Sequence, residues 1–134
     1  MPRFDRRELA AIYAGGVLGA LARVGLAQGF PVQAPGWPWT TFAINVSGSF
    51  LLAYVATRLR ERLPHSTYRR PLLGTGFCGA YTTFSTVQVE VLKMLDHDRY
   101  GTAIGYAAAS VAAGLAAVWV ATAMVRRVRM VAAG

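Results

Sequence analysis

Three stretches of this chain carry no charge: between Arg23 and Arg58, between Arg70 and Glu90, and between Arg99 and Arg126. About 20 uncharged apolar residues in a helix are enough to cross the hydrocarbon of a bilayer. A fourth apolar run, from about Glu8 to Phe30, is interrupted only by Arg23. Hydrophobic residues fill 54% of the 134 positions and charged residues 15%, against about 25% charge in soluble domains. The pattern reads as an all-α integral membrane protein, one four-helix transmembrane domain over 1–134. Its spans are expected at about 8–30, 40–57, 72–93 and 100–125.

A net charge of +8 invites a nucleic-acid reading, but its distribution argues against one. Arg3, Arg6 and Arg7 precede the first run, Arg58, Arg60, Arg62, Arg69 and Arg70 fill the middle connection, and Arg126, Arg127 and Arg129 follow the last. Basic clusters in alternate connections are what cytoplasmic retention of positive charge produces, so both termini are expected in the cytoplasm. The single Cys78 excludes an internal disulfide. The first run is long and holds Arg23, so it reads as an uncleaved signal rather than a cleavable one.

The third run is the unusual one. GTGFCGAYTTFSTVQVE, from Gly74 to Glu90, packs three glycines, Thr82-Thr83 and Ser85-Thr86 into membrane depth and ends in an acid. These residues work against an unbroken helix. The expectation is a helix that starts near Leu72, comes apart around Gly79 to Thr82 and resumes through Phe84 to Glu90. Unwound backbone at that depth needs protein or water around it, and such interruptions tend to form ion sites. The plainer alternative is a glycine-rich packing helix whose hydroxyls bond to its own carbonyls.

The flanking runs supply faces. Gly15, Gly16, Gly19 and Ala20, then Gly25 and Gly29, form small-residue surfaces for close helix contact. Arg23 is either an intramembrane cation or a side chain reaching the nearer interface. The uncharged connection 31–38, with Trp37 and Trp39 beside it, reads as a short interfacial loop. Thr41, Asn45 and Ser49 are four apart and share one helical face. Asn45 is either an interhelical hydrogen-bonding group or a donor on an anion path. Tyr106, Ser110 and Gly114 form a matching face on the last run, beside the small residues Gly101, Gly105, Ala109, Ala112 and Ala116. His65 reads as a solvated loop residue, and Asp96-His97-Asp98 as a solvated turn rather than a metal site. No nucleophile, paired base or metal cluster suggests an enzyme. Four short helices would leave the polar track facing lipid, so a dimer is expected to cover it.

GGVLGALAR at 15–23, WTTFAINVSGSF at 39–50, GTGFCGAYTTFST at 74–86 and GYAAAS at 105–110 resemble the Fluc/CrcB fluoride channels in all four runs and in order. The resemblance implies an antiparallel, dual-topology dimer in the cell (inner) membrane, with two fluoride pores and one structural sodium ion at its centre. It places sodium on backbone carbonyls matching Gly79 and Thr82. Its pore residues match Asn45, Phe84, Ser85, Thr86, Tyr106 and Ser110, with Glu90 near the mouth, and Thr41 supplies a further donor. An aromatic edge carries the positive part of the ring quadrupole, so Phe84 can approach an anion without a full charge. Val87 departs from the pattern, standing where the family has a second phenylalanine, and Gly114 stands where related chains often have serine.

The function expected is passive export of fluoride from the cytoplasm, with the ion's hydration replaced by hydrogen-bond donors. Val87 and the biased charges also fit a pore-impaired subunit that pairs with an oppositely inserted paralogue rather than with itself. A small proton-coupled multidrug exporter is the reading from another class, since those dimers rely on a membrane glutamate, for which Glu90 is the only candidate. The expected partners are fluoride, membrane lipid and a second subunit, with no nucleic acid.

Overall fold

The computed structural model describes residues 5–33, 36–61 and 68–132, apart from the side chains of 129 and 130. Arg3, Arg62, His65 and the Arg129 side chain lie outside the described residues. Every regular element described is helical. Helix α1 (Arg6–Gly29) starts where Asp5 accepts a hydrogen bond from the Arg7 amide at 2.9 Å, a carboxylate cap at the positive helix end. Helix α2 (Trp39–Glu61) follows the buried Pro38 and ends on Arg58 and Arg60, cations that complement the negative end of its dipole.

The next segment is built differently. Pro71–Cys78 is a π-helix, opened by a proline that has no amide to offer. It runs into the three-residue α3 (Gly79–Tyr81). Thr82 is extended, at φ −78° and ψ 155°, and Thr83 is extended at φ −146° and ψ 119°. Helix α4 (Phe84–Asp96) then begins, with the Thr83 hydroxyl accepting from the Thr86 amide as its cap. The interruption thus takes the last residue of the expected stretch from Gly79 to Thr82 and one beyond it, while Gly79 is right-handed helical, at φ −63° and ψ −36°. Asp98, at φ 57°, closes α4, with the Arg99 and Asp98 amides returning to the Met94 and Leu95 carbonyls. This is the paired bonding that ends helices on a left-handed residue. Helix α5 (Tyr100–Ala132) is the last element described.

Among the described residues, three helices are long and apolar enough to cross a membrane: Arg6–Gly29, Trp39–Glu61 and Tyr100–Val128 within α5. The expected 72–93 span is divided at Thr82 and Thr83. Neither the 71–81 arm nor the 13-residue α4 reaches the ~20 residues a crossing requires.

Two packing arrangements position the interruption. The arm lies along α1 at backbone contact. A Cβ on Gly15 would fall on the Leu72 carbonyl, one on Gly19 on the Phe77 carbonyl, and one on Gly76 on the Ile12 carbonyl. Gly25 and Gly29, the second small-residue surface, meet nothing within 4 Å. On the other side, α2 and α4 both pack on α5. Met94, Ala103 and Tyr106 form a buried cluster there, covered by Trp37, Phe42, Val87, Val91 and Leu95. The Trp37 ring meets Tyr106 edge-on, with centroids 5.3 Å apart, a favoured aromatic geometry. Elsewhere large apolar groups such as Leu21, Ile104, Leu115 and Trp119 point outward, as suits a surface solvated by lipid.

Candidate functional site

The polar face of α2 meets the interruption residue by residue. Asn45 donates through Nδ2 to the Thr83 carbonyl at 2.9 Å, and its Oδ1 accepts the Thr83 amide at 2.8 Å. One carboxamide thus satisfies both backbone groups of an extended residue, as a neighbouring strand would. A continued helix would have given the Thr83 amide to the Gly79 carbonyl. One turn further along α2, the missing side chain of Gly48 makes room for Thr82 Cγ2, which a Cβ would strike, and for the Tyr81 ring, which it would crowd at 3.2 Å. The asparagine and glycine three residues apart therefore act together: one binds the extended backbone and the other admits it.

Thr83 is the hub, and the sequence reading did not single it out. It is buried, at 8% exposure. Its hydroxyl lies 2.9 Å from that of Thr86 and 3.3 Å from that of Ser85, and accepts the Thr86 amide. Its local signal was that of an ordinary helix cap, a threonine ahead of an apolar helix. The Thr82 hydroxyl turns back to the Cys78 carbonyl at 2.9 Å.

A second cluster converges on Glu90. Thr41 donates to Oε1 at 2.6 Å and Tyr106 donates to Oε2 at 2.6 Å. Three helices meet here, with Thr41 and Tyr106 both buried and Glu90 half-buried. Short bonds of this kind to a carboxylate are charge-assisted.

Against the Asn45–Thr83 contact lies a cavity of about 360 Å³, open to one side, lined by Asn45, Thr83, Phe84, Val87 and Ser110 among others. Phe84 stands at its edge, 75% exposed. The Ser110 hydroxyl is buried near the Tyr106 oxygen and makes no hydrogen bond that meets geometric criteria among the described residues. An unpaired buried hydroxyl is costly and marks a place where another group can bond. Gly114 lies one turn beyond, where an added Cβ would stand 3.7 Å from the Ser49 hydroxyl. The predicted columns Thr41-Asn45-Ser49 and Tyr106-Ser110-Gly114 thus line one side of the molecule together. Gly79 is exposed, with no atom within 4 Å of where its Cβ would be, and it borders the interruption rather than the cavity. Arg23 is half-buried on α1 and has no polar partner among the described residues. No group of three or more His, Cys, Asp or Glu that could hold a metal occurs among the described residues.

Comparison with known proteins decides the family. A model described as "CrcB-like protein, Camphor Resistance (CrcB)" matches residues 10–122. The chain belongs to the CrcB family. A relative from Mycolicibacterium paratuberculosis, named "Fluoride-specific ion channel FluC 1", is 58% identical over 130 residues, covering 97% of this chain and 98% of its own length. A protein of the same name from Mycobacterium tuberculosis is 56% identical over the same shares. One from Caulobacter vibrioides, "Fluoride-specific ion channel FluC", is 38% identical over 90% of this chain and 97% of its own length. CrcB-family relatives are thus named as ion channels, and the family is not one of enzymes.

Proposed function

We propose that this chain is the subunit of a fluoride-selective channel that lets fluoride leave the cytoplasm passively. The observation that carries the reading is near full-length identity of 58% to a protein named as a fluoride-specific ion channel. The geometry supports it. An anion as strongly hydrated as fluoride needs hydrogen-bond donors in place of water, without a buried fixed cation that would hold it. The cavity offers the unpaired Ser110 hydroxyl and, at its edge, the Phe84 ring. The hydroxyls of Ser85 and Thr86 crowd around Thr83 close by.

Of the two roles open to Asn45, hydrogen bonding between segments is the one its contacts support. Both halves of its amide are spent on Thr83, so it shapes the path rather than supplying a free donor. Thr41 and Tyr106 are likewise spent on Glu90. Two donors on one carboxylate spread its negative charge, which would otherwise repel an anion at this point. They are also hydroxyls that a passing fluoride can compete for.

In this proposal the 71–81 arm and α4 together make a fourth, interrupted crossing, and two subunits join antiparallel in the cell inner membrane. The dimer covers the open side of the cavity, where Phe84 and Val111 are exposed. A structural sodium ion fits the interruption chemically: the Thr83 amide has left the helical ladder for Asn45, and carbonyl oxygens are hard ligands suited to a hard cation. Gly79 and Thr82 would hold it by their carbonyls, and it would supply fixed positive charge between subunits. Val87 in the cavity wall supports a second assembly, in which this subunit pairs with an oppositely inserted paralogue and one pore is altered.

Planar-bilayer recording of the purified chain tests the function. Under a fluoride–chloride gradient the reversal potential should follow fluoride. A reversal potential that treats chloride as fluoride's equal would overturn the assignment, and proton-driven export of a cationic dye would favour a drug exporter instead.

A further inference from the structure

A separate cavity of about 370 Å³ lies at the end of the molecule where α2 stops, the arm starts and α5 passes. Its lining is Ala56, Thr57, Arg60, Glu61, Arg70 and Arg126. The charges do not cancel. Arg126 Nε bonds to Glu61 Oε1 at 3.2 Å, the one ion pair among the described residues. Arg60 and Arg70 have no acidic partner among those residues. Arg58, the neighbouring cation, is already engaged: it donates to the Tyr54 hydroxyl at 2.6 Å and lies over that ring. Two guanidinium groups are therefore left facing one hollow without a counter-ion.

We propose that this cavity binds the phosphate group of an anionic membrane phospholipid. Guanidinium forks match phosphate oxygens in geometry and charge, and the Thr57 hydroxyl adds a neutral donor in the same wall. A soluble phosphate would share that chemistry. The surroundings favour the lipid. Ala56 lines the hollow, and Leu52, one turn earlier on the same face of α2, is an exposed apolar group. An acyl chain can lie along them while its headgroup reaches the arginines. This end also carries Arg58, Arg60, Arg69, Arg70, Arg126 and Arg127, whose summed charge attracts anionic lipid in whichever leaflet the end meets. The bound lipid would cross-link three elements that few other polar contacts join at this level.

Native mass spectrometry of the purified chain, titrated separately with phosphatidylglycerol, phosphatidylcholine and inorganic phosphate, tests this. Phosphatidylglycerol should be retained in preference to phosphatidylcholine, and R60Q/R70Q should bind it roughly thirtyfold more weakly, at the usual worth of two surface cations. R99Q, at the opposite end, should bind as the native chain does. E61Q, which frees Arg126, should bind several-fold more tightly, so the proposal stands or falls even if R60Q/R70Q fails to fold. Equal retention of phosphatidylcholine, unchanged binding by R60Q/R70Q or no gain in E61Q would overturn the site. Binding of inorganic phosphate without phosphatidylglycerol would overturn the lipid assignment.

Discussion

The residues before the interruption are held to α1 by glycines at backbone contact, and those after it are held to α2 and α5 by side-chain hydrogen bonds. Gly15, Gly19 and Gly76 bring carbonyls of one element into the space of another's missing side chains. Such contact is gained from close packing and tolerates no added atom. Past Thr83 the fastening changes to Asn45, Thr41 and Tyr106 on backbone and carboxylate. Polar fastening can open and close around an ion, while backbone contact cannot. The first half is built as an anchor, and in the proposed channel the second is the surface an anion passes.

This division predicts graded consequences. Gly76→Leu should be the most damaging, because its neighbours are the Ile12 carbonyl and the Gly15 backbone, which cannot yield. A loss above ~3 kcal/mol is expected, visible as failure to purify a folded, monodisperse protein. Asn45→Leu should cost about 2–4 kcal/mol by stranding the Thr83 amide and carbonyl, read as a lower thermal midpoint in detergent. If it unfolds at the native midpoint, the interruption is held by something else.

Glu90→Gln replaces one acceptor oxygen with a carboxamide NH2, a donor facing a hydroxyl that now has to turn. Fluoride efflux should fall about tenfold, from the loss of a charge-assisted bond worth roughly 1.5–3 kcal/mol, with little change in fold. Ser110→Ala should leave stability within ~0.5 kcal/mol, since the hydroxyl has no partner to lose, yet slow efflux several-fold. Gly25→Ala should do nearly nothing, because no atom stands within 4 Å. A strong defect there would show that this face is covered in the assembly.

The crossing segments were legible because charge exclusion is a one-dimensional signal. Arg23 to Arg58 and Arg99 to Arg126 frame α2 and much of α5 directly. The interruption overlaps the expected stretch at Thr82 and runs one residue past it, and the helix resumes at Phe84 as expected. Glycine lowers helix stability wherever it stands, which drew attention to Gly79. The actual site is fixed by Asn45 taking the amide of a residue 38 positions away. That is a tertiary event, and no local propensity reports it. The convergence of Thr41, Glu90 and Tyr106 was hidden for the same reason. Each was identifiable as polar at membrane depth, but only the packing of α2 and α4 on α5 brings two hydroxyls to one carboxylate. Thr83 was visible only as one of four hydroxyl residues working against a helix, because its central place depends on the same Asn45 contact.

The most direct test of the account is fluoride release from liposomes that contain this chain alone, followed with a fluoride-selective electrode after valinomycin is added to carry potassium. The account predicts rapid release of fluoride and no comparable release of chloride from matched vesicles. Fluoride retained as in protein-free vesicles, or chloride released at the same rate, would contradict it.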